Sequence, residues 1–273
     1  PLTQRALRML GRAVTILLAI GLCLGALAWP PEPARAWPGD LGVGWTSPDF
    51  DSSYAVALGD YDSDGDLDFA LGNYSTTEES KIFRNDGNGV FTQVWTAPNP
   101  AWTTALAWGD YDNDGDLDLA VGNQAPFFNQ VFRNNGGVFS QAWADTTTLA
   151  TSDLEWVDYD ADGLIDLAVG ISGQGPLVYK NWNPTYLWSP PNWYRGMPYG
   201  GTGSDAIAFV SYPSCADSYP DIAIGDANGQ VHIFCHLYNA TYGNHSWQHV
   251  WSSNETMSTY SLAWGDWDND GDL

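Results

Sequence analysis

A segment of about 50 residues recurs along this chain, and its period constrains the fold more than any other feature of the sequence. Each copy places a short apolar stretch before an acidic anchor and an aromatic residue, as in Ala55-Val-Ala-Leu-Gly-Asp-Tyr-Asp62. The anchors of successive copies, which are 50, 48, 53 and 55 residues apart, are Asp60, Asp110, Asp158, Ser211 and Asp266. A tryptophan precedes four of these anchors at one constant spacing, at Trp45, Trp95, Trp143 and Trp251. Two independent markers with one period indicate a structural repeat.

Each copy contains four short strand candidates. In the first copy these are Ala55–Gly59, Leu67–Gly72, Lys81–Asn85 and Phe91–Trp95, with an Asx-Gly turn at 86–89. No segment after residue 36 keeps a helical period. Four strands per repeat of this length predict an all-β fold, a β-propeller of four-stranded blades. Blade repeats are expected near 45–94, 95–142, 143–187, 188–250 and 251–273, which is about four blades and the beginning of a fifth, a partial propeller.

The first 36 residues differ from the repeats. Arg5, Arg8 and Arg12 precede an uncharged apolar run from Ala13 to Trp29, and a small-x-small cleavage signal follows at 34–36. This order is typical of a secretory signal peptide over residues 1–36, so the repeats at 37–273 are expected to be secreted or held at the cell surface. The alternative is an uncleaved membrane anchor, since 17 apolar residues are at the short limit for a spanning helix.

An acidic loop follows each intact anchor. Counted from the anchor, aspartates occupy positions 1, 3 and 5 and glycine occupies position 6 in all four loops, and aspartate occupies position 9 in the first three. Ca²⁺ takes about six to eight oxygen ligands at ~2.3–2.6 Å, and a tight loop turns alternate side chains inward to supply them. Glycine at position 6 allows the turn that directs the backbone carbonyl of position 7 at the ion. The alternative, a merely solvated acidic turn, is disfavoured because four close carboxylates repel one another.

We therefore predict four calcium sites. They are not EF-hands, because position 12 holds Leu71, Val121 or Val169 in place of glutamate. The first loop supplies Asp60, Asp62, Asp64, Asp66 and Asp68, and the second supplies Asp110, Asp112, Asp114, Asp116 and Asp118. The third supplies Asp158, Asp160, Asp162, Leu164 and Asp166, and the fourth supplies Asp266, Asp268, Asp270 and Asp272. Position 7 contributes only its backbone oxygen, which is why a leucine is compatible with the third loop.

The copy anchored at Ser211 departs from this pattern. Ser211 and Pro213 replace the acids at positions 1 and 3, so this loop is not expected to bind an ion, although Asp217 and Asp221 are kept. Outside the N-terminal segment the chain has two cysteines, Cys215 and Cys235. An even pair in an exported protein favours one disulfide, and two separate thiols are the alternative. We expect the bridge to hold this blade where calcium does not.

The motif Gly-Asp-Tyr-Asp-x-Asp-Gly-Asp-Leu-Asp-x-Ala-x-Gly-Asn resembles the FG-GAP/VCBS repeat, which is related to the propeller of integrin α-subunits. The match covers most of residues 45–273, with three complete copies, one degraded copy and one truncated copy. The resemblance implies a propeller, often of seven blades, with calcium in the loops between the first and second strands of a blade. It also implies an extracellular adhesion, recognition or scaffold role. The departures are the 211–221 loop and the truncated last copy.

The charge of the chain excludes one class of partner. With 33 acidic and 9 basic residues the net charge is −24, so no basic surface is available for the phosphates of nucleic acid. The expected partner is an extracellular protein or a glycan, and a membrane is expected only through the N-terminal segment. We predict a non-enzymatic, calcium-stabilised binding, adhesion or scaffold module with no catalytic residue. The alternative is the propeller of a secreted polysaccharide-directed enzyme whose active site lies in missing or inserted segments.

Two further groups of residues offer other chemistry. The four histidines all fall in the degraded copy, at His232, His236, His245 and His249. On one strand His232 and His236 would lie roughly 13 Å apart and could not share a metal, whereas a cross-strand pair with His245 or His249 stays open. We expect surface or blade-edge histidines, with zinc binding as the alternative. The irregular aromatic residues, unlike the tryptophans at repeat positions that should pack blades, are candidate ligand contacts: Trp182, Trp188, Trp193, Tyr194 and Tyr199.

Overall fold

The structure, a computed structural model, describes residues 45–47, 51–182, 203–210, 215, 219–226, 229–239, 244–254 and 258–263. The chain divides into two units, Pro1–Ser47 and Pro48–Leu273, and all the strands belong to the second unit. The expected signal segment at 1–36 and the fourth acidic loop at 266–272 lie outside the described residues. In the described part of the chain, no helix is long and apolar enough to cross a membrane.

The described residues contain fifteen β-strands and no helix. The strands are β1 Ser53–Gly59, β2 Asp68–Asn73, β3 Lys81–Asn85, β4 Phe91–Thr96, β5 Thr103–Gly109, β6 Asp118–Asn123, β7 Gln130–Asn135, β8 Val138–Ala144, β9 Thr151–Val157, β10 Asp166–Ile171, β11 Gln174–Tyr179, β12 Ser204–Val210, β13 Asp221–Asp226, β14 Val231–Asn239 and β15 Asn244–Ser252. The strands predicted for the first copy correspond to β1 through β4, with their ends displaced by at most two residues.

The strands form antiparallel sheets in chain order. Three sheets have four strands each, β1–β4, β5–β8 and β12–β15, and a fourth has three described strands, β9–β11. The first strands of successive sheets, β1, β5, β9 and β12, lie beside one another. Sheets arranged side by side around their first strands are propeller blades, so the predicted fold class, a partial β-propeller, is confirmed. Because Trp95 and Trp143 lie on β4 and β8, a repeat numbered from its tryptophan begins on the last strand of one blade.

Apolar side chains of successive blades share common cores. One cluster joins Tyr61 of the first blade to Leu119 and Phe132 of the second. The second and third blades approach so closely that a Cβ added at Gly109 would lie 2.6 Å from the ring of Trp156. Glycine is therefore needed there because any larger residue would displace a packed indole ring.

In the second and third blades a buried asparagine at or just after the end of the third strand bonds to the acidic loop of the preceding blade. Asn134 is fully buried and donates through Nδ2 to the carbonyl of Tyr61 in the first loop at 2.9 Å. Asn181 likewise donates to the carbonyl of Tyr111 in the second loop at 2.7 Å. These bonds satisfy carbonyl groups that would otherwise lie unpaired in the interface, and they link the position of each loop to the next blade.

An indole hydrogen bond joins the first strands at two blade junctions. Trp108 of β5 donates its ring N–H to the carbonyl of Ala57 in β1 at 3.2 Å, and Trp156 of β9 donates to Ala107 in β5 at 3.2 Å. Phe209 holds the corresponding position of β12 and has no polar hydrogen to donate. The third junction therefore requires a different polar contact.

Carboxylates supply that contact between β9 and β12. Glu155, at the position that Ala107 holds in β5, accepts a hydrogen bond from the N–H of Phe209 at 2.9 Å. Asp153 accepts one from the N–H of Ile207 at 2.9 Å. Burial raises the pKa of Glu155 to about 7 and that of Asp153 to about 6, although the backbone hydrogen bonds act in the opposite direction.

Glu155→Gln is expected to reduce the pH dependence of stability. As the pH rises, the unfolded chain loses this proton near the ordinary glutamate pKa of 4.5, before the folded chain does, so the free energy of unfolding falls between about pH 4 and pH 7. Glutamine keeps an acceptor for Phe209 and cannot ionise. In urea denaturation the variant should be more stable than the wild type at pH 8, by on the order of 1–3 kcal/mol, and similar to it at pH 4. Glu79→Gln makes the same charge change elsewhere and serves as control, and equal gains in both variants would contradict the assignment.

Candidate metal centres

Three acidic loops connect the first and second strands of their blades. They lie at 60–68 between β1 and β2, at 110–118 between β5 and β6, and at 158–166 between β9 and β10. The glycine at position 6 has a φ of +93°, +96° and +89° in Gly65, Gly115 and Gly163. This left-handed conformation carries little penalty for glycine, which explains why the sequence keeps it in every intact loop.

The anchor carboxylate organises the backbone of each loop. Asp60 accepts hydrogen bonds from the N–H groups of Asp64 and Gly65, both at 3.0 Å. Asp110 and Asp158 accept the corresponding pairs at 2.9–3.0 Å. The anchor thus fixes the turn over positions 5 and 6 before any ligand is considered.

Three carboxylates converge in each loop, those of positions 1, 3 and 9. In every loop one oxygen of each lies within 4.8 Å of the other two. The groups are Asp60, Asp62 and Asp68; Asp110, Asp112 and Asp118; and Asp158, Asp160 and Asp166. One oxygen of each position-3 carboxylate is buried without a hydrogen-bond donor among the described residues, namely Oδ1 of Asp62, Asp112 and Asp160. The same unsatisfied atom recurs in all three loops, which marks a place where a positively charged group fits.

The position-9 aspartates are buried where the loop meets the second and third strands. Asp118 is fully buried, and its two oxygens accept hydrogen bonds from the N–H groups of Asn134 at 2.8 Å and Tyr111 at 3.1 Å. Asp68 and Asp166 accept the equivalent pairs of bonds. Burial raises the pKa of Asp68 to about 6 and those of Asp118 and Asp166 to about 7, in spite of these hydrogen bonds. A nearby cation would favour the charged form of each.

The position-5 aspartates do not belong to the convergent groups. Each accepts a hydrogen bond from the N–H of position 7 at 2.9–3.0 Å; the three residues are Asp64, Asp114 and Asp162. At position 7 of the second loop, the carboxylate of Asp116 accepts the N–H of Gly136 at 2.8 Å and so supports the hairpin turn between β7 and β8. That the backbone oxygens of Asp66, Asp116 and Leu164 are ligands stays a prediction.

An arginine of the third strand reaches into the second loop. Arg133 forms ion pairs with Asp112 at 2.7 Å and with Asp114 at 2.9 Å. Its hydrogen bond lowers the pKa of Asp114 more than burial raises it. In the first blade the corresponding Arg84 pairs instead with Asp86, at 2.7 Å, in the turn after its own strand.

A lysine takes the same role in the third loop. Lys180 forms ion pairs with Asp160 and, at 2.9 Å, with Asp162. Burial raises the pKa of Asp162, but the hydrogen bond from Lys180 and other contacts outweigh it, and the pKa is lowered. Sequence reasoning did not identify Arg133 or Lys180, although each directly precedes the asparagine that ties its blade to the preceding loop.

In the degraded copy a disulfide joins Cys215 and Cys235, whose Cα atoms are 5.6 Å apart. Both cysteines are buried, and a carboxylate oxygen of Asp221 lies within 4.8 Å of their sulfur atoms. Ser211 and Pro213 lie outside the described residues.

The disulfide occupies the place of an ion pair. The N–H of His236 bonds to Asp221 at 2.8 Å, just as the residues after Arg133 and Lys180 bond to their position-9 aspartates, so Cys235 corresponds to these two basic residues. Cys215 is the fifth residue counted from Ser211, the position that Asp114 and Asp162 hold in the second and third loops. These two aspartates are the position-5 partners of Arg133 and Lys180. A covalent bond therefore connects the two chain positions that ion pairs connect in the second and third loops.

The described histidines lie in two different environments. His236 is fully buried and stacks between Tyr159 and Trp247, with ring centres 4.5 Å away on each side. The expectation of a surface or blade-edge position was wrong for this residue, because it replaces the buried asparagine of the other blades. His232 and His249 face each other across β14 and β15, with ring centres 5.7 Å apart.

One member of the irregular aromatic group is described. Trp182 is 56% exposed, and the ammonium group of Lys180 lies 4.4 Å from its ring centre. The other members and one histidine side chain lie outside the described part: Trp188, Trp193, Tyr194, Tyr199 and His245. Trp251, expected to pack a blade, is 48% exposed.

Comparison with known proteins identifies the repeat. Residues 60–121 match the family model described as FG-GAP-like repeat, and this range contains the first two acidic loops in full. The expected FG-GAP resemblance is confirmed over these residues. No curated protein matches the sequence. A chain in the crystal structure of BBS1N in complex with ARL6DN, soaked with lead, is similar over 74% of this chain and 69% of its own length, with 16% identity and a TM-score of 0.46.

Proposed function

We propose that this chain, which carries an FG-GAP-like repeat at residues 60–121 on a partial β-propeller fold, is an extracellular binding, adhesion or scaffold module whose blades are stabilised by calcium. Calcium is proposed as a structural ion. The surface that binds the partner lies on the blades, and the ions hold these blades in place.

The observation that carries the calcium proposal is the buried, donorless Oδ1 atom of Asp62, Asp112 and Asp160. In each loop a carboxylate oxygen of the same aspartate lies within 4.8 Å of carboxylate oxygens of positions 1 and 9, so one ion could contact all three side chains. Carboxylate and carbonyl oxygens suit a hard cation, and Ca²⁺ accepts irregular coordination by protein oxygens more readily than Mg²⁺, which demands near-ideal octahedral geometry. Positions 5 and 7 would complete the ligand set.

Calcium would act on the connection between strands. The position-9 aspartate begins the second strand of each blade, and the anchor directly follows the first strand, so one ion would hold both strand ends. It would also offset the repulsion within a chain of net charge −24. The extracellular setting is supported by the signal-like N-terminal segment and by the disulfide between Cys215 and Cys235, since disulfides persist in oxidising compartments.

Calcium titration of single variants tests the sites one by one. Asp62→Asn, Asp112→Asn and Asp160→Asn should each bind one ion fewer than the wild type in isothermal titration, because each replaces a convergent carboxylate by a weaker, neutral ligand. Asp66→Asn is the matched control, with the same loop and the same charge change but a side chain outside the convergent group, and should keep the full stoichiometry. Equal stoichiometry in all four variants would refute the assigned sites.

Lys180→Gln should raise the calcium affinity of the third loop. The lysine ammonium pairs with two aspartates that would bind the ion, so an arriving cation has to displace it. Loss of this competition is worth about 1 kcal/mol, or roughly fivefold in Kd. Arg84→Gln is the control, because Arg84 pairs with Asp86 outside the loop ligands and its removal should leave the affinities nearly unchanged. A Lys180 variant with weaker calcium binding would contradict the competition.

A binding role predicts that the calcium-loaded protein retains a ligand. Probed on a glycan array, the protein should bind a defined set of glycans in calcium and lose them in chelator, because the blades that present the surface depend on the ions. Binding that is equally strong in chelator would contradict the link between calcium and recognition. Absence of binding in both conditions would contradict the glycan as partner.

A further inference from the structure

Two imidazole rings converge on one point in the outer strands of the fourth blade. His232 lies on β14, and His249 and Ser252 lie on β15. Nδ1 of His232 and Nε2 of His249 are each 2.7 Å from Oγ of Ser252. Nitrogen ligands bind Zn²⁺ at ~2.0–2.1 Å, so shifts of roughly 0.6 Å would bring both nitrogens to an ion at this point.

A β-bulge places the second histidine on this face. His232 pairs with Ser252 and Ile233 with Trp251, but Phe234 pairs with His249, so Val250 has no partner in the register. In a regular ladder His249 would pair one residue further along β14 and point to the opposite face. The bulge therefore creates the pair, which strand periodicity in the sequence could not reveal.

The second blade provides an internal comparison, because β7 and β8 carry the same bulge. There Gln130 corresponds to His232, Gln141 corresponds to His249, and Ala144 corresponds to Ser252. The two glutamines form an amide hydrogen bond of 3.0 Å, so the scaffold is complete without histidine at either position. The second and fourth blades thus share the same bulge, and histidines replace the glutamines only in the fourth.

A buried carboxylate lies behind the first histidine. Asp226 is 2% exposed, and its Oδ2 lies 3.8 Å from Nε2 of His232. At 3.8 Å the contact is electrostatic and not a hydrogen bond. Closing this gap on metal binding would hold the proton on Nε2 and leave the Nδ1 lone pair for the ion, the arrangement found behind histidine ligands of metals. Burial lowers the pKa of His232, which favours the neutral ring that a metal requires. His249 is exposed, so ions reach the site from solvent.

We propose that His232 Nδ1 and His249 Nε2 bind a transition-metal cation of the zinc class, with Asp226 as the carboxylate that positions His232. Rotation of Ser252 vacates the point between the rings, and water completes the coordination. Imidazole nitrogen suits Zn²⁺ and Cu²⁺ but not Ca²⁺, so this site differs in ion class from the acidic loops. It does not depend on the calcium proposal.

Zinc titration in excess calcium isolates this site. Zn²⁺ is titrated into the full, disulfide-bonded chain without reductant, so that oxygen sites are filled with calcium and Cys215 and Cys235 are blocked, while Cys23 is the same in every variant compared. The wild type should bind one zinc equivalent that the His232→Gln/His249→Gln variant lacks. This variant reproduces the glutamine pair of the second blade, and its unchanged far-ultraviolet circular dichroism would show that the fold is retained. Asp226→Asn should weaken zinc binding by about 10–100-fold.

A graft provides the converse test. Gln130→His, Gln141→His and Ala144→Ser together should add a second zinc equivalent in the second blade, with about 10–100-fold lower affinity because Asn123 corresponds to Asp226. Identical zinc isotherms for the wild type and the double glutamine variant would overturn the proposal. The comparison is made at fixed calcium, so failure of the calcium proposal would appear in calcium titrations and would leave this zinc difference unaffected.

Discussion

The buried aspartate at the start of each second strand is the contact on which the rest of the blade depends. Its two carboxylate oxygens accept one N–H from the acidic loop and one from the third strand, as Asp118 does from Tyr111 and Asn134. Even the blade without the other loop acids keeps such an aspartate, Asp221, which accepts the N–H of His236. A fully buried carboxylate with a raised pKa is costly unless positive charge lies close by. This requirement gives the acidic loops, the basic residues and the proposed ions a common physical cause.

The blades differ around this aspartate on one backbone plan. Arg133 and Lys180 bring a cationic side chain to the second and third loops, whereas a disulfide spans the corresponding positions in the fourth blade. The junctions between first strands vary in the same manner, with an indole N–H from Trp108 or Trp156 at two of them and the carboxylate of Glu155 at the third. Where Phe209 replaces the tryptophan of the other junctions, Glu155 replaces the alanine on the neighbouring strand and restores a hydrogen bond between the strands. The fourth blade is therefore the place where the repeat acquires new chemistry.

The repeat period, the strand order and the loop positions could be predicted from the sequence, because period-two alternation and Asp-x-Asp-x-Asp-Gly spacing are local signals. The separation of position 5 from the convergent carboxylates could not, since it follows from a turn in which Asp64 bonds the N–H of Asp66. Particular side-chain contacts across strands and between blades could not be assigned from the sequence either. The sequence left a cross-strand pair of His232 with His245 or His249 open, and the bulge at Val250 is what brings His249 to the face of His232. The burial of His236 depends on two aromatic rings from different elements.

Thermal unfolding of the protein in millimolar calcium and in chelator tests whether calcium holds the blades together. A ligand that binds only the folded state raises stability in proportion to RT ln(1 + [L]/Kd), and several sites act together. Chelation should lower the unfolding midpoint of the wild type by a large amount, and by less when Asp62, Asp112 and Asp160 are all replaced by asparagine. A midpoint that is the same in calcium and in chelator would contradict calcium as the ion that holds the blades.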